Sequence, residues 1–157
     1  MRKKSKYKPK GIRLDNLAWV SSGLKRVGSL PTAGVDLKLK NHEALESILK
    51  GNATRDHADM IIAAFNIAEA LYHVNPALGE DWADEIRAAQ DAIYTMSRRS
   101  LTLNNFVFNA AEMAAVKLGM LVHNQQLDDC TVREMELAID YVEARLKSKQ
   151  ARVIAHA

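Results

Sequence analysis

The basic side chains at the start of the chain are the residues whose type and spacing best fit a chemical task. The opening stretch MRKKSKYKPKG holds six Lys and Arg residues in eleven positions and no acid. The candidate contacts of this arm are Arg2, Lys3, Lys4, Lys6, Tyr7, Lys8, Lys10 and Arg13. Cations beside a ring that can stack on a base suit nucleic acid or another phosphate-rich ligand. Two alternatives stay open, namely a solubilising tail and an arm that docks on its own acidic helices.

The distribution of charge separates this arm from the rest of the chain. Residues 1–40 carry 11 basic and 2 acidic residues, a net charge of +9, whereas residues 41–157 carry 11 basic and 17 acidic residues, a net charge of −6. A basic arm on an acidic body confines the attraction for polyanions to one place. Arg98 and Arg99 end a predicted helix, where they either extend a basic surface or complement the negative end of the helix.

The residues that could support metal or nucleophilic chemistry favour structural roles. Glu69 and His73 share a helix face, but the chain lacks the inward Glu and Glu-x-x-His pairs of a di-iron bundle. Cys130 precedes a helix, where its pKa could fall, yet the sequence offers no base at a recognisable separation. Three other histidines lack a partner at ligand spacing, and they are His42, His57 and His123. We therefore predict no catalytic residue, no metal, no cofactor and no enzymatic activity.

Apolar periodicity predicts an all-α protein, an antiparallel helical bundle of about four long helices and one or two short ones behind the basic arm. Thr54 should cap the first long helix and Asn75-Pro76 should stop it. A capping box at Thr131 to Glu134 should begin the last. The long helices are expected over residues 55–74, about 80–99, about 106–126 and about 131–147.

The segments before the first long helix carry weaker patterns. Apolar residues at 17, 20, 24 and 27 predict a short amphipathic helix, and Trp19 could anchor it on the bundle. The run VDLKLK alternates but lacks a partner strand, so an extended connector is expected. A short helix should begin at an Asn41 cap and end at Gly51. The predicted organisation is an arm with connector over 1–40, a bundle over 41–147 and a tail over 148–157.

The same periodicity predicts the core and a homodimer. The expected core residues are Ile61, Phe65, Ala68, Trp82, Ile86, Ile93, Met113, Leu118, Ile139 and Val142. The third long helix is also apolar away from its main seam, at Val107, Phe108, Ala111, Val116, Met120 and Val122. A helix that is apolar beyond one face must be central or cover a second surface. We therefore predict a homodimer that packs this helix across a two-fold axis.

The lettering KSKYKPKG, LKNHEAL, GNATRDHAD and NIAEALYH resembles a group of short tailed-bacteriophage proteins with no assigned function. The resemblance runs from the arm through the first long helix and faintly to the C-terminus. It implies the cytoplasm of an infected bacterium, where small phage proteins block host factors or bind nucleic acid or signal nucleotides. No catalytic residue is carried over from the group.

These observations predict a non-enzymatic accessory binding protein whose arm contacts nucleic acid or a phosphate-rich ligand. The alternative is an inhibitor or adaptor that grips a host protein, such as a defence protein, through a helical face. The single cysteine and the lack of a signal peptide or membrane span predict a cytoplasmic protein with no membrane partner.

Overall fold

Five α-helices make up most of the computed structural model, which describes residues 26–27 and 33–148. They are α1 (Ala33–Leu49), α2 (Arg55–Val74), α3 (Ala83–Leu103), α4 (Ala110–Asp129) and α5 (Val132–Lys147). Two 3-10 helices, Pro76–Leu78 and Glu80–Trp82, join α2 to α3. The described residues contain no β-strand, and the predicted all-α helical bundle is confirmed. None of the described helices has the length and apolar character needed to cross a membrane.

Helix α2 is the centre of the bundle, because it contacts α1, α3, α4 and α5. It begins and ends where the sequence predicts. At its start the Thr54 N–H donates to His57 Nδ1 at 3.0 Å, and at its end the Asn75 N–H donates to the Leu71 carbonyl at 2.9 Å. Pro76 then prevents the helix from continuing. The helix has its predicted bounds because Thr54 at its start and Asn75-Pro76 at its end are strong sequence signals.

Helix α1 begins at Ala33, eight residues before the expected Asn41 cap. The run VDLKLK is therefore helical, and the prediction of an extended connector was wrong. Asn41 is buried in the middle of the helix. Lys38 forms an ion pair with Asp128, and His42 Nε2 accepts a hydrogen bond from the Asn124 side chain. Asp128 and Asn124 both lie on α4. These long-range contacts stabilise helix in a stretch whose local alternation resembles a strand.

Helix α3 begins after Trp82 and ends at Leu103, so it starts later and runs further than expected. Gly79 adopts φ 118°, a left-handed conformation that favours glycine, and it turns the chain between the two 3-10 helices. Trp82 lies in the second 3-10 helix and is 47% exposed. The prediction that Trp82 belongs to the core was wrong. It was assigned to the buried seam of α3, but it lies before that helix begins.

The core prediction is correct for α2 and α3 and wrong for parts of α4 and α5. Ile61, Phe65, Ala68, Ile86 and Ile93 are all buried. The other expected core residues lie at or outside its edge: Leu118 and Ile139 are exposed, and Met113 and Val142 are partly buried. The amphipathic pattern of α4 is diluted by exposed leucines, so apolarity alone assigns the wrong face there, whereas α5 packs through Met135, Ala138 and the expected Val142 and leaves Ile139 exposed.

The buried face of α4 is rotated from the predicted seam. Val116 and Met120, assigned to a second surface, are in the core, and so is Phe108 just ahead of the helix. A Cβ added at Gly119 would lie 2.5 Å from the Ala89 Cβ, because α3 and α4 approach closely there. The helix begins at an Asn109 cap, where the Glu112 N–H donates to Asn109 Oδ1 at 2.8 Å. The close approach at Gly119, which only a glycine permits, turns this face of α4 toward α3.

Helix α5 begins at the predicted capping box. The Thr131 N–H donates to Glu134 Oε2 at 2.8 Å, and the Glu134 N–H donates to Thr131 Oγ1 at 3.1 Å. At the same junction the Val27 N–H donates to the Cys130 carbonyl at 2.9 Å. The predicted helix over residues 17–27 and the predicted tail over 148–157 lie almost wholly outside the described residues.

Candidate functional site

The predicted nucleic-acid contacts of the arm, residues 2–13, lie outside the described residues. The secondary pair lies on α3, with Arg98 exposed. Arg99 instead makes a bidentate ion pair with Glu112, at 2.9 Å from Nη1 to Oε1 and 2.7 Å from Nη2 to Oε2, and its Nη2 donates to the Val107 carbonyl at 2.7 Å. Hydrogen bonding to Arg99 lowers the pKa of the Glu112 carboxyl. Arg99 therefore joins α3 to the start of α4, and the two arginines do not act as a pair.

The buried nucleophile and the buried imidazole are both held in their neutral forms. Burial, assisted by the Glu134 carboxylate, raises the pKa of the Cys130 thiol to about 11. Burial lowers the pKa of His123 to about 4, although a contact of 3.2 Å between His123 Nδ1 and Gln126 Oε1 opposes this. Within residues 26–27 and 33–148, no group of three or more His, Cys, Asp or Glu residues is placed to hold a metal ion.

Glu69 and His73, both on α2, connect this helix to its neighbours. Glu69 accepts from Gln90 Nε2 at 3.0 Å and from Arg145 Nη1 at 3.4 Å, which connects α2 to α3 and α5. The His73 ring stacks on Tyr141 with a centroid separation of 5.2 Å. These contacts agree with the structural role that the sequence favoured for the two residues.

A groove of about 440 Å³ opens between the 3-10 segment and α4. Its lining residues are Pro76, Ala77, Leu78, Gly79, Glu80, Asp81, Trp82, Leu118, Leu121, Val122, Gln125, Gln126 and Asp129. The buried Gln126 side chain holds its two walls together, because Nε2 donates to the Ala68 carbonyl at 2.9 Å and to the Leu78 carbonyl at 2.6 Å. A Cβ at Gly79 would lie 3.1 Å from the same Nε2, so the glycine lets the loop approach α4.

The groove combines an apolar surface with acidic residues. Its lining residues Trp82, Leu118 and Leu121 are 47%, 40% and 65% exposed. Glu80, Asp81 and Asp129 are among its lining residues, whereas no lysine or arginine is. Neighbouring exposed apolar side chains of this size mark interaction sites on soluble proteins. The groove therefore fits a segment that carries both apolar and basic side chains.

A second exposed apolar surface, the α3–α4 corner, is formed by Leu101, Leu103 and Val107. Arg99 lies on α3, four residues before Leu103. Its hydrogen bond to the Val107 carbonyl holds Val107 beside the last turn of that helix. Leu103 is among the most exposed large apolar side chains of the described residues, at 62%. The corner lies at the start of α4, whereas the groove extends to its other end.

Sequence reasoning missed the groove because it assigned Trp82 and Leu118 to the core. One available signal was the segment NPALGED, in which Asn75, Pro76 and Gly79 favour a turn that continues into acidic residues. The Asn75 side chain does cap this segment, since its Oδ1 accepts from the Ala77 N–H at 3.1 Å. The contact between this turn and the end of α4 was not visible in the sequence.

No protein-family model matches this chain, and neither a curated protein nor a solved structure matches it.

Proposed function

We propose that this chain is a non-enzymatic binding protein of the phage accessory type, whose basic arm contacts nucleic acid or another phosphate-rich ligand in the bacterial cytoplasm. The observation that carries the proposal is the separation of charge between residues 1–40, at +9, and residues 41–157, at −6. Phosphate contacts by lysine and arginine supply most of the sequence-independent affinity of proteins for nucleic acids. An acidic body would repel the same ligand, which leaves the arm as the point of contact.

Ion pairs within the body support this assignment. Among the cations of residues 41–148, Lys50, Arg55, Arg99 and Arg145 pair with carboxylates within 4 Å. A phosphate that approached one of these side chains would have to compete with a carboxylate already in place. The pairing therefore lowers the contribution of the body to polyanion binding and increases the relative weight of the arm.

The salt dependence of binding tests the arm in the full-length protein. Replacing Lys3, Lys4 and Lys6 with Gln should weaken binding to duplex DNA. If each lysine neutralises one phosphate, the slope of log K against log salt should flatten by about 2.7. The matched control replaces the exposed body cations Arg87, Lys117 and Lys147 with Gln. Equal affinity and slope in the arm variant and the wild type would rule out the arm as the contact.

A second candidate function is an inhibitor or adaptor that binds a host protein, and the α3–α4 corner favours it. An affinity capture from bacterial lysate, with and without nuclease, separates the two functions. A stoichiometric protein that survives nuclease, and that Leu103→Lys releases but Leu146→Lys retains, would support the adaptor. Both leucines are exposed, at 62% and 57%, so both variants should fold. Loss of every captured protein after nuclease would instead support nucleic-acid binding.

A further inference from the structure

We propose that the groove beside Trp82 is the docking site for residues 14–25 of this chain, which lie outside the described residues. The inference goes beyond the proposed function, because it concerns the attachment of the arm to the body and does not require any ligand. Three observations carry it: the place where the described chain resumes, the apolar cluster that this place shares with the groove, and the chemistry of the two partners.

The chain is attached to the body beside the groove. Val27 is buried, with 4% of its surface exposed, and its N–H donates to the Cys130 carbonyl at 2.9 Å. Arg26 forms an isolated antiparallel bridge with Thr131. Asp129, the residue before Cys130, lines the groove. Residues 14–25 are therefore tethered at the same end of α4 that forms one wall of the groove.

The attachment and the groove also share an apolar cluster. Val27 and Leu78 belong to one cluster of buried residues, together with Leu71 and Cys130. Leu78 is at the same time a lining residue of the groove. Docking of the preceding residues would extend this cluster without a gap. A covalent tether of a few residues gives an effective concentration on the order of millimolar, which an untethered partner does not have.

The sequence of residues 14–25, LDNLAWVSSGLK, matches the chemistry of the groove. Its apolar residues Leu17, Val20 and Leu24 recur at intervals of three and four, and Trp19 adds an aromatic ring. Lys25 is its last residue and Arg13 and Arg26 flank it, while the groove contributes three acids and no lysine or arginine. Leucines of the groove would then be covered by leucine and valine, and its acids would face cations.

The lengths of the two partners also agree. The groove follows α4 from Leu118 to Asp129, which is twelve residues. Twelve helical residues span about 18 Å at 1.5 Å per residue. Residues 14–25 are also twelve in number. A short amphipathic helix over this segment would therefore lie along the whole groove and leave residues 1–13 free to meet a ligand.

Tryptophan fluorescence of the full-length protein tests the docking. The chain has two tryptophans, so Trp82→Phe leaves Trp19 as the sole emitter and keeps an aromatic ring in the groove. In this variant the emission of Trp19 should be blue-shifted and weakly quenched by acrylamide. Adding Leu121→Lys should shift the emission to the red and raise the quenching constant several-fold. Leu146→Lys, at a leucine of similar exposure on α5, should change neither quantity.

A second variant tests whether Leu121→Lys acts only by disturbing the local structure of the groove. Asp129→Lys leaves the apolar surface intact and reverses one acid of the groove, and it should produce a smaller red shift in the same background. Circular dichroism should show equal helix content in every variant. An emission from Trp19 that neither groove variant alters would overturn the proposal, whether that emission is typical of an exposed or of a buried tryptophan.

The remaining outcomes identify a different occupant. A mass of twice 17.5 kDa by light scattering, reduced to 17.5 kDa by Leu121→Lys, would overturn the proposal in favour of a second copy in the groove. A monomer whose Trp19 signal is independent of protein concentration and sensitive to both groove variants supports intramolecular docking. Displacement of Trp19 by a partner protein that Leu121→Lys no longer binds would also support it, since the segment must occupy the groove to be displaced.

Discussion

Helices α2 and α4 have the same length, 20 residues each, but they pack into the bundle by different means. Helix α2 is buried through large apolar side chains such as Ile61, Phe65 and Leu71. Helix α4 buries Glu112, His123 and Gln126 beside its apolar residues, while Leu118 and Leu121 remain exposed. Packing of α2 therefore depends on the hydrophobic effect, whereas packing of α4 combines buried apolar residues such as Val116 and Met120 with specific polar contacts and leaves an apolar face exposed.

The largest effect is expected from a cavity in α2. Phe65 is fully buried between several helices, so Phe65→Ala should lower the free energy of unfolding by about 3–5 kcal/mol. Urea unfolding followed by circular dichroism measures the change. The exposed Leu103→Ala serves as the control, and it should change stability by less than about 1 kcal/mol. Equal losses from the two variants would contradict the central position of α2.

The second-largest effect is a pH dependence of the free energy of unfolding, which arises from His123 on α4. His123 is neutral when folded because its pKa is about 4, below the ordinary value of 6.5. The unfolded chain binds a proton as the pH falls below 6.5 and the folded chain does not, so stability should decrease by about 1.4 kcal/mol per pH unit between pH 6.5 and 4. Above pH 6.5 His123 is neutral in both the folded and the unfolded chain, so its titration no longer changes the stability.

Urea unfolding of the wild type and His123→Asn across this pH range measures the slope. The variant lacks the titrating group, so the part of the slope due to His123 should disappear although the variant is less stable at every pH. Parallel slopes in the two proteins would show that His123 is accessible to protons in the folded state.

The third effect concerns the ion pair that orients the start of α4. Glu112→Gln should lower stability at pH 7 by about 1–3 kcal/mol, because it removes a charged acceptor from Arg99. The wild-type carboxyl has a lowered pKa when folded, so its contribution is complete above the unfolded pKa and is lost as the pH falls through the folded value. The stability difference between the proteins should therefore shrink in acid. Glu46→Gln, at an exposed pair with Lys50, should have little effect at either pH.

The smallest effect is expected at the closest approach of α3 and α4. Gly119→Ala places a Cβ 2.5 Å from Ala89, and such overpacking costs about 1–3 kcal/mol. The better helix propensity of alanine offsets about 1 kcal/mol of this cost. In a double-mutant cycle measured by urea unfolding, Ala89→Gly should recover part of the loss. Additive effects of the two substitutions would mean that the helices separate freely at this point.

The homodimer stays a prediction, and the structure changes how it is tested. Phe108 and Met120 are buried within one chain, so charged residues there would unfold the protein before they could separate two copies. The exposed apolar residues of α4 are instead Ala110, Ala111, Ala114, Leu118 and Leu121. A second copy would cover the same leucines as residues 14–25, so Leu121→Lys tests both arrangements.

Local sequence determined the elements whose signals lie close together along the chain. The cap at Thr54, the stop at Asn75-Pro76 and the capping box at Thr131 each involve residues within four positions, and the structure places all three as predicted. The all-α class follows from helix propensity and apolar spacing in the same way. The charge separation of the arm is also a property of the sequence alone, and the proposal for the arm depends on it.

Tertiary structure decided which face of α4 is buried and where the groove lies. Gly119 is buried because Ala89 and Phe65 approach it, and Gln126 is buried because the carbonyls of Ala68 and Leu78 satisfy its amide. Periodicity assigns burial by apolarity, so it placed Leu118 inside and gave these two residues no role. Burial of a polar side chain costs much less free energy where partners complete its hydrogen bonds. Those partners lie 48 and 58 residues away, a separation that local sequence does not encode.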